Sequence, residues 1–401
     1  MPTTPRIQVI DALRGFALLG IIMIHSIEHF ELFMPVNAES PLVLEIDQQV
    51  FESVLFLVSG KAYSIFAFLF GYSFFIQMKT KELQGVDFRN VFLWRLLVLL
   101  AIGLVHSMIY RGDILHIYAL MGMPLVSLYK VGSRTLLVVT SLLILQIPTL
   151  GMIVESFVDP SYIYTPYYGD GYYEEGEQIY SSGSLWDVVV FNLYKARVVV
   201  WTWTYHTGRF FQLMALFILG LVIARQRYFE NLKAYRYKAT LIGYFSLIFM
   251  LLLNLYLTGV ESFDWTDSQK QLVMVVVQSY LNAFYTTAIC CGFILVYFYF
   301  SKRVKIFDYL SSYGRLSLTN YVSQALIGVL IFYDFGLGLW EYVGATVSLI
   351  FGLGLFVIQV VISARWLKTY KYGPMEWLWR ALTYKDFSIP MKKTDWETVQ
   401  S

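Results

Sequence analysis

Apolar runs about as long as a hydrocarbon core is thick, roughly 17 to 25 residues, follow one another along almost the whole chain. They lie at Ala12 to Phe33, Val54 to Met78, Phe92 to Tyr110, Ile114 to Tyr129, Leu136 to Val154, Phe210 to Ala224, Ala239 to Leu257, Leu272 to Phe300, Leu316 to Phe335 and Val343 to Trp366. A chain so built has one economical fold, because only helices satisfy their own backbone hydrogen bonds in lipid without closing a barrel. The expectation is an all-α polytopic bundle of about ten membrane helices. Composition agrees: 57% of the 401 residues are hydrophobic and only 14% charged, too little polar surface to cover a soluble globule of this size. A net charge of +2 gives no reason to expect a nucleic-acid partner.

Lys and Arg fix the orientation. Lys79, Lys81, Arg89 and Arg95 follow the second run, Lys130 and Arg134 the fourth, the Arg225 to Lys238 cluster the sixth, and Lys302, Arg303 and Lys305 the eighth. The alternate loops are acidic: Glu39, Glu45 and Asp47, then Asp159 to Glu177, then Glu261, Asp264 and Asp267. Both termini are therefore expected in the cytoplasm, in a bacterial inner membrane. This alternation requires 186–206, which carries Lys195, Arg197 and several Trp, to lie as a helix at the outer interface. The expectation is a single domain over 1–401, with an external loop at 157–185 and a cytoplasmic tail at 367–401. Met1 to Arg6 is short and no cleavage site follows, so the first span is expected to be retained.

Read as a helix, the first run places Asp11, Arg14, His25, Glu28 and His29 along one stripe. Ionisable groups at membrane depth cost several kcal/mol unless they face protein or a wet cavity, so the stripe points to a site. All five histidines, His25, His29, His106, His116 and His206, fall toward the external side, near Glu28, Arg111, Asp113 and Arg209. Asp11, Arg14 and Arg315 fall at the cytoplasmic end. The long loop from Asp159 to Ser184, rich in Tyr, Gly and Glu, reads as an external lid or as a mobile acidic loop.

Five blocks carry a family resemblance: the opening Asp11-Ala-Leu-Arg-Gly-Phe-Ala-Leu-Leu-Gly20, Phe66-Ala-Phe-Leu-Phe-Gly71, Gly112-Asp-Ile-Leu-His-Ile-Tyr-Ala-Leu120, Gly314-Arg-Leu-Ser-Leu-Thr-Asn-Tyr321, and Tyr372-Gly-Pro-Met-Glu-Trp-Leu-Trp-Arg380. Together they resemble the bacterial DUF418 (YeiB-like) membrane proteins. These in turn are similar to transmembrane acyltransferases, which share an Asp-x-x-Arg-Gly opening. The resemblance implies transfer of an acyl group, acetyl foremost, from cytoplasmic acyl-CoA to an external glycan or small metabolite. Acetyl-CoA or another acyl-CoA is then the donor, and no metal is expected.

Such an enzyme needs cations for phosphates inside and a general base near the acceptor. Asp11, Arg14, Arg315 and Asn320 are the donor-binding candidates, and His25, Glu28, His29, His106 and Asp113 the catalytic ones. Where a lysosomal relative of the acyltransferases has its catalytic histidine, this chain has none, and the choice of base stays open.

Each residue also has a structural reading. Asp11 and Arg14 form an i,i+3 ion pair on a helix. Lys61 can pair with Glu28 or Asp113, and Asn320 with Gln324 can serve as interhelical hydrogen-bond donors. Gly71, Gly103, Gly122, Gly220 and Gly292 permit close helix packing. Adjacent Cys290 and Cys291 are small core residues.

Two rival functions remain. His25-Ser-Ile-Glu28-His29 reads H-x-x-E-H, a zinc-hydrolase order that needs a third ligand. A small-molecule or glycan transporter would also need a polar interior, although the chain shows no repeated halves and no paired Gly- or Pro-broken spans. The partners expected are the lipid bilayer, acyl-CoA and the acceptor; the oligomeric state, a homodimer included, is left open by the sequence.

Overall fold

Every one of the ten apolar runs is helical in the computed structural model, which describes residues 6–33, 40–159 and 161–393. Glu39 of the first acidic loop, the residues before Arg6 and the tail beyond Lys393 lie outside the described residues. In chain order the helices are α1 Gln8–Ile27, α2 Pro41–Val58, α3 Ala62–Leu83, α4 Arg89–Ser107, α5 Leu115–Gly122, α6 Pro124–Leu128, α7 Ser133–Leu145, α8 Ile147–Val158 and α9 Tyr172–Ser182. They continue with α10 Leu185–Leu193, α11 Lys195–His206, α12 Arg209–Arg225, α13 Leu232–Gly259, α14 Asp267–Phe300, α15 Ile306–Arg315, α16 Ser317–Phe332, α17 Ala345–Thr369 and α18 Pro374–Tyr384. Among the described residues seven helices, counting α2 with α3 and α7 with α8 as single segments, are long and apolar enough to cross a membrane; two bent pairs raise the number to nine. The shorter apolar stretch Leu115–Leu128 matches the remaining run.

Burial sorts these helices into centre and periphery. In α1, 61% of the apolar window is buried inside the protein, against 6% in α13 and 11% in α14. The α13–α14 hairpin therefore presents Leu, Ile and Phe side chains to lipid, while α1 runs through the middle against α3, α15 and α17.

Close crossings hold the centre together. Gly71 of α3 meets the Phe217 carbonyl of α12, and Gly220 of α12 meets the Phe68 carbonyl of α3, so neither position has room for a Cβ. Gly15 and Gly314 do the same for α1 and α15. Gly103 and Gly122 are also crowded, but Gly292 faces open space, so its expected packing role is corrected.

Two helix pairs are sharply bent, and a third junction interrupts a segment that otherwise runs on as one span. Gly60, at φ +79°, separates α2 from α3; Gly208, at φ +72°, precedes a 72° bend between α11 and α12; and α15 meets α16 at 81°. Hydrophobic periodicity does not mark these junctions, because each turns on a single Gly or on Leu316. Irregular backbone within a membrane is tolerated only where protein or a polar cavity satisfies it. Here Lys61 Nζ donates to the Phe56 carbonyl at 2.7 Å and lies over the Tyr285 ring, in place of the expected pairing with Glu28 or Asp113. At the α15–α16 bend Glu376 of α18 accepts from the backbone N–H groups of Leu318 and Thr319, capping α16.

Candidate functional site

The breaks surround two chambers stacked within the bundle. The outer one has a volume of about 880 Å³ and is walled by the end of α1, the α2–α3 break, the 111–114 turn and the start of α12. The inner one, about 280 Å³, lies among α1, α3, α4, α15 and α18. Ile21, Tyr63, Ile114 and Tyr321 line both, so these four side chains are the partition. Tyr63 donates its hydroxyl to Gln212 Oε1, and Tyr321 Oη accepts from the Ile114 backbone N–H at 3.1 Å, which fixes both rings.

Beside the partition Asp113, buried in the 111–114 turn, holds two imidazoles. Its Oδ1 lies 2.8 Å from His106 Nδ1, and its Oδ2 lies 2.9 Å from His116 Nδ1. Burial alone would raise the Asp113 carboxyl, but the two imidazole contacts outweigh it and hold the carboxyl well below the usual range. An ionised carboxylate only accepts, so both Nδ1 atoms donate to it, and in the neutral form of each ring Nε2 presents the lone pair. Arg197 Nη1 covers His116 Nε2 at 3.3 Å, whereas His106 Nε2 has no partner. His25 Nδ1 and the Tyr110 hydroxyl are likewise buried without partners, and the rings of His25 and His106 share Tyr110 and Tyr321 as neighbours.

The chain leaves α1 through three successive left-handed residues, His29, Phe30 and Glu31, at φ +44°, +57° and +77°. Such a conformation costs about 1 to 2 kcal/mol per non-glycine residue. Its effect is to turn both Glu28 and Glu31 into the outer chamber while His29 turns elsewhere. Glu31 itself meets Arg111, whose guanidinium lies over Tyr173 and Tyr180.

The loop after α8 folds over this chamber. Pro166 to Gly171 line it, and His206 tethers the loop through the Tyr164 hydroxyl and the Tyr167 backbone N–H. Helix α9 is pinned by Lys195 on Glu175 and by Tyr180 stacked on Tyr333.

The inner chamber is cationic. Arg14, Arg95 and Arg315 all line it, with Glu376 occupied in capping α16. Arg14 is tied to Asp11 at 2.8 Å and to Ser73. Arg95 stacks on Trp379 at 3.7 Å, and the Nε atoms of Arg95 and Arg315 have no partner. Gly15 against Gly314 is what brings their neighbours Arg14 and Arg315 to one cavity.

The structure thus brings His25, Glu28, His106 and Asp113 together, and Arg14 with Arg315. His29 lies apart: its Nε2 contacts Ser348 Oγ at 3.0 Å and its ring packs on Phe332. With His25 and His29 on separate partners, the H-x-x-E-H pair does not converge; among the described residues no three His, Cys, Asp or Glu side chains are grouped as metal ligands. Asp11 stays outside the chamber lining, and Asn320 joins helices by donating to the Tyr313 carbonyl and Ser363 Oγ. Sequence reasoning passed over Arg95, which reads as an orientation charge, and Tyr110, which carries no charge to mark it.

Fold and site define a polytopic helical membrane protein with two chambers, each carrying a few charged side chains in a mainly apolar wall, that meet at Ile21, Tyr63, Ile114 and Tyr321. Comparison with known proteins then shows what the chain is similar to: residues 223–386 match the profile described as "Protein of unknown function (DUF418)". It is 28% identical to the uncharacterised protein YxaH of Bacillus subtilis, 98% of each chain being covered. It is 28% identical to a 39.9 kDa protein of the amylase 3' region of Bacillus acidopullulyticus, over 97% of each chain. It is 26% identical to YeiB of Escherichia coli, over 96% of this chain and 98% of that one. No solved structure matches the chain.

Proposed function

We propose that this is a bacterial inner-membrane acyltransferase, which moves an acetyl or similar acyl group from cytoplasmic acyl-CoA to a hydroxyl or amine on an external glycan or small metabolite. One observation carries the reading: an arginine-lined chamber and a histidine–carboxylate chamber lie back to back and share Ile21, Tyr63, Ile114 and Tyr321. In this reading Arg95 and Arg315, each with an unpartnered buried Nε, meet the phosphates of the donor. The inner chamber is narrow, which suits the slender pantetheine arm and leaves the nucleotide at the basic mouth. At the partition the acceptor oxygen or nitrogen attacks the thioester carbon and gives its proton to His106 Nε2. The C–S bond then breaks, and the same proton passes to the departing CoA sulfur. Asp113 holds the imidazole in the competent tautomer and stabilises its charged form.

Sealed vesicles with the basic loops outward, supplied with radiolabelled acetyl-CoA and the producing organism's outer-surface extract inside, test this. Label trapped in lumenal acceptor, absent in vesicles without the protein, supports transfer; label that remains as acetyl-CoA at all protein levels refutes it.

The two sharply bent helix pairs favour a second reading, export of an intact small molecule, since transporters place half-helix ends at their binding sites. Movement of an unmodified solute without acyl-CoA in the same vesicles would favour it.

A further inference from the structure

Arg209, the first residue of α12, lines the outer chamber with its guanidinium over the rings of Trp203 at 4.0 Å and Tyr63 at 4.7 Å. The two rings fix the plane of the guanidinium and leave its edge, with the N–H donors, for a ligand. Among the described residues no carboxylate lies within ion-pair distance of it. The chamber's other carboxylates are engaged or remote. Glu31 meets Arg111, Asp113 holds His106 and His116, and Asp170 and Glu174 are exposed on the lid at the rim. Glu28 lines the same chamber and is near enough to feel the charge of Arg209, but the two form no ion pair. An unpaired guanidinium in a largely apolar chamber is costly when empty and selective when filled.

We infer that Arg209 makes the outer chamber selective for an acceptor that bears an anionic group, a carboxylate or a phosphate or sulfate ester, held bidentately at the guanidinium edge. This rests on the outer chamber being the acceptor's side, and it narrows the acceptor to acidic molecules. The adjacent Trp203 and Tyr63 rings give the rest of such a molecule an apolar wall.

Ligand-observed NMR on the protein in lipid nanodiscs tests it, with acetate and methyl phosphate as probes and ethylene glycol as the neutral control. An Arg95→Gln/Arg315→Gln background removes anion binding at the inner chamber. Expected are binding of one or both anions, no binding of the glycol, a loss of roughly tenfold or more in Arg209→Gln and a smaller loss in Arg209→Lys. The relative affinity of the two anions tells carboxylate from phosphate. In an otherwise unaltered chain Arg209→Gln should leave acetyl-CoA affinity unchanged, which also shows that the variant is folded. Anion binding that is absent, matched by the glycol, or unchanged in both Arg209 variants overturns the inference. Anion binding that depends on Arg209 in a protein with no affinity for acetyl-CoA would uphold it while removing the acyl-transfer reading.

Discussion

Asp113 lies 2.8 Å from Nδ1 of His106 and so fixes the proton there, leaving Nε2 of the same ring buried with a free lone pair. A base of this kind contributes about 100- to 10,000-fold to a proton transfer. His106→Ala and Asp113→Asn should therefore cut acetyl transfer about 100-fold or more while acetyl-CoA affinity holds. Both are read from vesicle transfer rates beside equilibrium titration. A His106 variant with normal rates assigns the base elsewhere, His25 being the nearest alternative.

Arg95 and Arg315 face the inner chamber without carboxylate partners, so each should count in donor binding. Charge-assisted hydrogen bonds are worth about 1.5 to 3 kcal/mol, and Arg95→Gln or Arg315→Gln should raise the acetyl-CoA dissociation constant about tenfold to a hundredfold. Asn320→Ala, which removes an interhelical tie, should instead lower the thermal midpoint with little change in donor affinity.

Gly71 and Gly220 each lie against a carbonyl of the facing helix, so an added side chain must push α3 and α12 apart. Gly71→Leu or Gly220→Leu should destabilise by about 1 to 3 kcal/mol or more, seen as lower folded yield in detergent. Gly292→Ala, at a position facing open space, should be close to neutral.

Much of this was legible in the sequence, and the rest was hidden for physical reasons. Ten apolar runs became helices because hydrophobic length at membrane thickness has few other solutions. Loop charge puts all five histidines on one side but does not say which of them meet; Asp113 contacts His106 and His116, and His25 shares the outer chamber with Asp113. His29 shares the stripe with His25, yet periodicity cannot foresee that the backbone turns left-handed there and sends the ring to Ser348. Arg95 was indistinguishable from a loop cation until α18 brought Trp379 against it. The helix breaks at Gly60, Gly208 and Leu316 rest on single residues and on caps, such as Glu376, far away in sequence.

The most direct test is a cryo-EM structure of the protein in nanodiscs with a non-hydrolysable acetyl-CoA analogue. The account predicts density with its phosphates at Arg95 and Arg315 and its acyl end against Tyr63 and Tyr321, beside His106. Density confined to the outer chamber, or an inner chamber empty at saturating analogue, would contradict it.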